Sequence, residues 1–233
     1  MSSRFGALRE EAWRANAEIP KLGLAILTWG NASALDRSAG VFAIKPSGLE
    51  YDELKPENMV IVDLEGKVVE GELRPSSDTK THLVLYRAFE GIGGVCHSHS
   101  THAVAWAQAR RPIPCFGTTH ADQTAGSVPC TDMISAAELE RDYELSTGEL
   151  IVRSFEGRDP LHTPMVLVAG HGPFTWGRGA LEAVRYAAAL EEMARMAILT
   201  LAVDPEAEAL PEHVVRKHWE RKHGKNAYYG QKK

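Results

Sequence analysis

Only three cysteines occur among the 233 residues, Cys96, Cys115 and Cys130, and no two of them form a CxxC pair. So small and dispersed a set excludes a disulfide framework, and each is read as a reduced, buried small side chain, with Cys96 of secondary interest because His97 follows it. No apolar run approaches the roughly 20 residues that cross a bilayer; residues 165–169 and 194–203 are typical of the longest. The first residues, MSSRFGALREEAWR, carry acidic side chains where a secretory signal needs an apolar stretch, so a cytoplasmic chain with no membrane partner is expected. Positive charge is not in excess either: 26 Lys and Arg against 31 Asp and Glu give a formal net charge of −5, which offers no field for collecting nucleic acid. There is no P-loop, and the GIGG stretch at Gly91 lacks the spacing of a dinucleotide fingerprint. Repeats, low-complexity segments and linkers are absent, which predicts a single domain.

What remains is the composition of a globular enzyme, 44% hydrophobic and 24% charged, in a chain long enough to bury its own core. Phe5, Leu8, Ala12, Trp13 and Ile19 are spaced for a helix over residues 3–20 that Pro20 ends. Apolar runs at 24–28, 41–44, 59–63 and 67–70, separated by Gly30-Asn31 and Glu65-Gly66, read as an antiparallel meander. Ser76, Ser77 and Asp78 open a helix that continues through Leu83, Leu85, Tyr86 and Phe89. Strands are expected at 94–99 and 165–169, helices at 101–110 and 179–201, and a helix from 135 that becomes ambiguous after Gly148. Strands and helices share one core, an α/β arrangement. The tail HGKNAYYGQKK reads by default as frayed.

Two constellations carry chemistry. His97 and His99 lie two apart, a spacing that on a strand points both rings to one face. His171 follows an apolar strand between Gly170 and Gly172, and Asp78 heads the helix before the first two. Three imidazoles and a carboxylate suit Zn2+, with Mn2+ or Co2+ as substitutes. Taken alone, a His-x-His pair is more often two satisfied polar residues, and Asp78 is most simply a helix cap. The second constellation is three turns, Thr28-Trp29-Gly30-Asn31, Lys45-Pro46-Ser47-Gly48 and Pro75-Ser76-Ser77-Asp78, which offer backbone amides, hydroxyls and a helix N-terminus to an anion. Each is weak singly; together they fit a small phosphorylated metabolite better than a nucleotide.

The strings LTWGNASALD, IKPSGLEY, PSSDTKTHLVLY, GGVCHSHSTHAVAWAQ, GTTHAD, AGHGPFTWG and RKHGKNAYYGQ, in this order over nearly the whole chain, resemble the class II aldolase/epimerase family and, within it, the bacterial L-ribulose-5-phosphate 4-epimerases. The resemblance implies a central, mostly antiparallel sheet flanked by helices, and a fourfold homotetramer with active sites between subunits. It implies metal ligation by His97, His99 and His171 with Asp78 beside or on the ion. Phosphate and substrate contacts are implied for Gly30, Asn31, Ser47, Gly48, Ser76 and Ser77, with Lys45 near them. Asp122 and Tyr229 match two acid/base groups, Tyr229 reaching across from a neighbouring chain on a tail at about residues 224–233. His218, Arg221 and Glu144 match supporting residues at that boundary. In L-fuculose-1-phosphate aldolases a glutamate occupies the position of Asp78 and protonates the enediolate; the shorter acid here favours an epimerase. Residues 158–163 depart from the family in length and composition.

The implied substrate is a sugar phosphate. Carbon 4 of a ketopentose phosphate carries no acidic hydrogen, so inversion there calls for opening and re-forming the bond between carbons 3 and 4, with one proton-transfer group near each face of the aldehyde fragment. A sugar-phosphate aldolase that releases its fragments is the nearest alternative, and a non-catalytic zinc scaffold a more distant one.

Overall fold

The structure, a computed structural model, describes residues 4–225 and 227–229. Seven strands form one sheet: β1 (Asn31–Asp36), β2 (Val41–Ile44), β3 (Val60–Asp63), β4 (Val68–Glu70), β5 (Gly94–His97), β6 (Met165–Val168) and β7 (Gly172–Gly177). Their order is β4-β3-β2-β1-β5-β7-β6, with every neighbouring pair antiparallel. This is the expected α/β architecture with an antiparallel sheet.

Helices cover both faces. Along β2 and β3 the side chains alternate: Val41, Ala43 and Ile61 pack with helix α1 (Gly6–Lys21), whereas Phe42, Ile44, Val60 and Val62 pack with helix α2 (Thr79–Ala88). Because neither face of β2 and β3 meets water, these two strands read as continuous apolar runs rather than alternating ones, whereas edge strand β4 has Val68 and Val69 exposed. Between β5 and β6 come α3 (Thr101–Ala109), the short α4 (Thr118–Ala121), α5 (Ala136–Arg141) and α6 (Tyr143–Ser154). The 24-residue α7 (Ala180–Val203) lies on the α1 side, and α8 (Glu212–His223) follows. None of the described helices is long and apolar enough to cross a membrane.

Two expectations change. The run at 24–28 is a loop, not a strand, because its backbone is used locally: Leu24 N donates to Ile19 O and closes the end of α1, and Trp29 N donates to Ile26 O. Leu24 is buried, Ile26 and Leu27 are 65% and 64% exposed, and Leu27 adopts a φ of 54°. The first helix continues through Pro20 to Lys21, since a proline this close to the end costs the ladder little. Of the tail expected to reach a neighbouring subunit, Asn226 and residues 230–233 lie outside the described residues.

The strand that carries His97 is held tightly against α7. A Cβ placed on Gly94 would lie 2.3 Å from Ala180 N and 2.4 Å from Ala180 Cα, both backbone atoms that cannot move aside singly. Gly94→Ala is therefore expected to destabilise the fold by about 2 kcal/mol, lowering the melting temperature by roughly 4–8 °C in a thermal melt at fixed protein concentration. An unchanged melting temperature would show that the sheet and α7 can separate freely.

Candidate metal centre

Strand pairing builds the site floor. Antiparallel register sets Asn31 of β1 opposite His97 at the end of β5, and His97 opposite Phe174 of β7, on which its ring stacks with centroids 4.2 Å apart. His99 follows just beyond the strand, and His171 occupies the turn of the β6–β7 hairpin, where His171 N donates to Val168 O. One ligand atom from each of His97, His99 and His171 lies within 4.8 Å of the others, a group able to hold a metal ion.

The protonation pattern suits that task. The Pro173 carbonyl has no proton to give, so at 2.9 Å it accepts a hydrogen bond from His97 Nδ1–H, leaving the Nε2 lone pair free 3.0 Å from Nε2 of His99. Two nitrogens on one tetrahedral Zn2+, each about 2.0–2.1 Å from it, would lie roughly 3.3 Å apart. Burial, with the neighbouring imidazoles second, holds His97 and His171 down to about 3, and burial lowers His99 against the pull of Asp78. All three rings are thus neutral at physiological pH and present lone pairs rather than charge. The donor set fits a divalent cation.

Asp78 does not cap α2 with its side chain; its Oδ2 accepts a hydrogen bond from Asn31 Nδ2 at 2.6 Å. Asn31 is 3% exposed, and its Oδ1 has no hydrogen-bond partner among the described residues, leaving an acceptor for an incoming donor. Both line a cavity of about 360 Å³ together with the three histidines. Its other walls are the turns singled out above: Gly30; Lys45, Ser47 and Gly48; Ser76 and Ser77. Backbone bonds from Ser76 N to Lys45 O and from Ser47 N to Arg74 O, each 2.9 Å, stitch the second and third turns together. Gly30 takes a φ of +81°, and a Cβ there would meet the His97 carbonyl at 2.8 Å, so only glycine lets this turn approach the ligand strand. Lys45 is 1% exposed, its Nζ is 4.8 Å from the Tyr51 ring centroid, and burial lowers its affinity for a proton, Glu50 opposing.

Glu144 lines the same cavity, beside Tyr143. Tyr143, which the sequence did not single out, places its hydroxyl 3.2 Å from His171 Nδ1.

The remaining nominated residues gather elsewhere. Asp122, at the end of α4, lies with its carboxylate against α8: Arg221 donates to it at 2.9 and 2.5 Å, His218 Nδ1 lies at 3.2 Å and Lys222 Nζ at 3.5 Å. Burial alone would raise this carboxyl, but these neighbours hold it below the usual range. Tyr229, 60% exposed, rests over the Arg221 guanidinium and the Lys222 ammonium at 5.0 and 4.5 Å. None of Asp122, His218, Arg221 and Tyr229 lines the cavity of its own chain. The segment at 158–163 packs on α8, with the His162 ring 4.4 Å from that of Trp219.

Residues 10–198 match the class II aldolase and adducin N-terminal domain family. Among solved structures, an L-fuculose 1-phosphate aldolase is 27% identical with a TM-score of 0.80, over 95% of this chain and 97% of that one. YgbL from Klebsiella pneumoniae, described as a putative aldolase/epimerase/decarboxylase, is 27% identical with a TM-score of 0.71, covering 91% and 97%. An L-fuculose-1-phosphate aldolase from Thermus thermophilus is 25% identical with a TM-score of 0.65, covering 87% and 98%.

Proposed function

The chain belongs to the class II aldolase and adducin N-terminal domain family, and on that premise we propose that it interconverts L-ribulose 5-phosphate and D-xylulose 5-phosphate as a divalent-metal-dependent 4-epimerase. The observation that carries the reading is one cavity in which three neutral imidazoles face turns built from glycine, serine and the start of α2. When bound by His97, His99 and His171, with Asp78 at its side, a divalent cation, Zn2+ in the first instance, supplies Lewis acidity to the substrate oxygens next to the bond that opens.

The chain's own residues do the rest. Ser47, Gly48, Ser76 and Ser77 hold the phosphate, with the α2 amides and the Lys45 charge behind them. Asn31 Oδ1 accepts from a sugar hydroxyl. One acid/base group removes the proton from the hydroxyl on carbon 4 as the bond between carbons 3 and 4 breaks and that carbon becomes an aldehyde. The aldehyde fragment, tethered by its phosphate, turns over; the bond re-forms on the other face, and the second group returns a proton to the new alkoxide. Asp122 and Tyr229 fill these roles. They lie outside their own chain's cavity, and we assign them to a neighbouring subunit's, in the homotetramer of single-domain chains that the resemblance implies, with Glu144, His218 and Arg221 in support.

An aldolase that releases its fragments is the second reading, favoured by the likeness to L-fuculose 1-phosphate aldolase. Incubation with L-ribulose 5-phosphate separates the two: D-xylulose 5-phosphate is expected to accumulate, whereas free dihydroxyacetone and glycolaldehyde phosphate would establish the aldolase. Side-chain length at position 78 gives a further test. Asp78 reaches Asn31 at 2.6 Å, and one added methylene would carry the carboxylate past that contact toward the ligands. Asp78→Glu is expected to keep the metal and lose about 10²-fold in epimerisation rate through misplacement of the reacting groups, read as kcat alongside metal content. Unchanged turnover would remove Asp78 from the specificity argument.

A further inference from the structure

A neutral imidazole has one proton and two nitrogens, so a partner that fixes the proton on one nitrogen also fixes the lone pair on the other. We propose that Tyr143 is a positioning residue of the metal centre: its Oη accepts Nδ1–H from His171, which turns the His171 Nε2 lone pair toward His97 and His99 and leaves the phenolic O–H to donate into the cavity. The inference rests on the metal reading above and deepens it.

Three observations support it. His97 already shows the arrangement, with Nδ1 engaged by Pro173 O at 2.9 Å and Nε2 facing His99. At His171 the corresponding contact is the 3.2 Å approach of Tyr143 Oη to Nδ1. The reverse polarity, phenol donating to Nδ1, would put the imidazole proton on Nε2 and present an N–H to a cation. Second, His171 sits in a hairpin turn with glycine on either side, Gly170 at a φ of +73°, so its backbone restrains the ring less than a strand would. A side-chain partner has to supply the orientation.

Third, Tyr143 is itself fixed. It is the first residue of α6, whose N-cap Asp142 accepts from Leu145 N at 3.1 Å and from Lys80 Nζ at 2.5 Å. Thr147 Oγ1 donates to Tyr143 O at 2.8 Å, and Thr81 Oγ1 to Glu144 O at 2.7 Å. Lys80 and Thr81 belong to the first turn of α2, directly after Asp78. One clamp between two helices therefore sets Tyr143, and through it His171, relative to Asp78.

The test compares full-length wild type, Tyr143→Phe and His171→Ala for Co2+ affinity, by competition with a chromophoric chelator, with circular dichroism to verify the fold. Wild type is expected to bind one Co2+ per chain and His171→Ala to lose it. Tyr143→Phe should stay folded and bind about 10–100-fold more weakly, the usual effect of losing a partner behind a ligand histidine. In the Zn2+-loaded wild type, nitrogen-15 spectra should show the His171 proton on Nδ1. If Tyr143→Phe holds Co2+ as tightly as wild type, or that proton lies on Nε2, the role of Tyr143 is overturned while the metal centre stands. If wild type takes up no Co2+, both fall.

Discussion

Replacing His97 with alanine is expected to lower turnover by about 10³-fold or more and to strip the chain of stoichiometric metal, while the sheet stays folded. The magnitude follows from what a Lewis acid contributes, several kcal/mol of charge stabilisation in the transition state; about 4 kcal/mol corresponds to roughly 10³-fold in rate. His97 is the decisive ligand to remove because it is 1% exposed and its orientation is set twice, by Pro173 O and by stacking on Phe174. Metal analysis and steady-state kinetics on one sample check the result. Retention of both metal and activity would mean that the three imidazoles merely fill the cavity floor.

The second large effect concerns the other cluster. Tyr229→Phe and Asp122→Asn are each expected to cost about 10²–10⁴-fold in kcat, the range for removing a proton-transfer group, with metal content unchanged. The arrangement adds a sharper test, since neither residue lines the cavity of its own chain. Co-expressing His97→Ala chains with Tyr229→Phe chains in equal amounts should restore activity, up to roughly a quarter of the wild-type sites for random assembly in a ring. Each restored site would take its histidines from one subunit and its tyrosine from the next. Mixtures no more active than their parents would place both groups in one chain and remove the subunit boundary from the mechanism.

Much of this architecture was legible in the residues because local chemistry and tertiary role agreed. Ser76 to Asp78 and the spacing of Leu83, Leu85, Tyr86 and Phe89 announce α2, and Glu65-Gly66 announces the β3–β4 hairpin. The three histidines, spread from position 97 to position 171, could be nominated because each stood in a context, a strand or a glycine turn, that presents a side chain. Failures came where long-range geometry decided. The apolar run at 24–28 has strand chemistry, but its amides are consumed at the end of α1. Strand β7 opens Gly-Pro, which reads as a turn until β5 and β6 pair with it on either side. Helix α8 buries only Val215, so it carries almost no apolar periodicity to find. Tyr143 escaped notice because its partner lies 28 residues away in a hairpin turn, a distance no local pattern reveals.

The three imidazoles do not share one mechanical footing. His97 ends a strand flanked by β1 and β7, and displacing its backbone would disturb pairing across the middle of a seven-stranded sheet. His171 stands on a hairpin between two glycines. On the proposed reading, accommodation of a larger or smaller ion would fall to the hairpin, with the central strand as the fixed jaw of a vice. Substitutions meant to retune metal preference must spare Gly170, at a φ of +73°, and Gly172, whose Cβ would meet the Ser98 carbonyl at 3.0 Å, and find almost no freedom along β5.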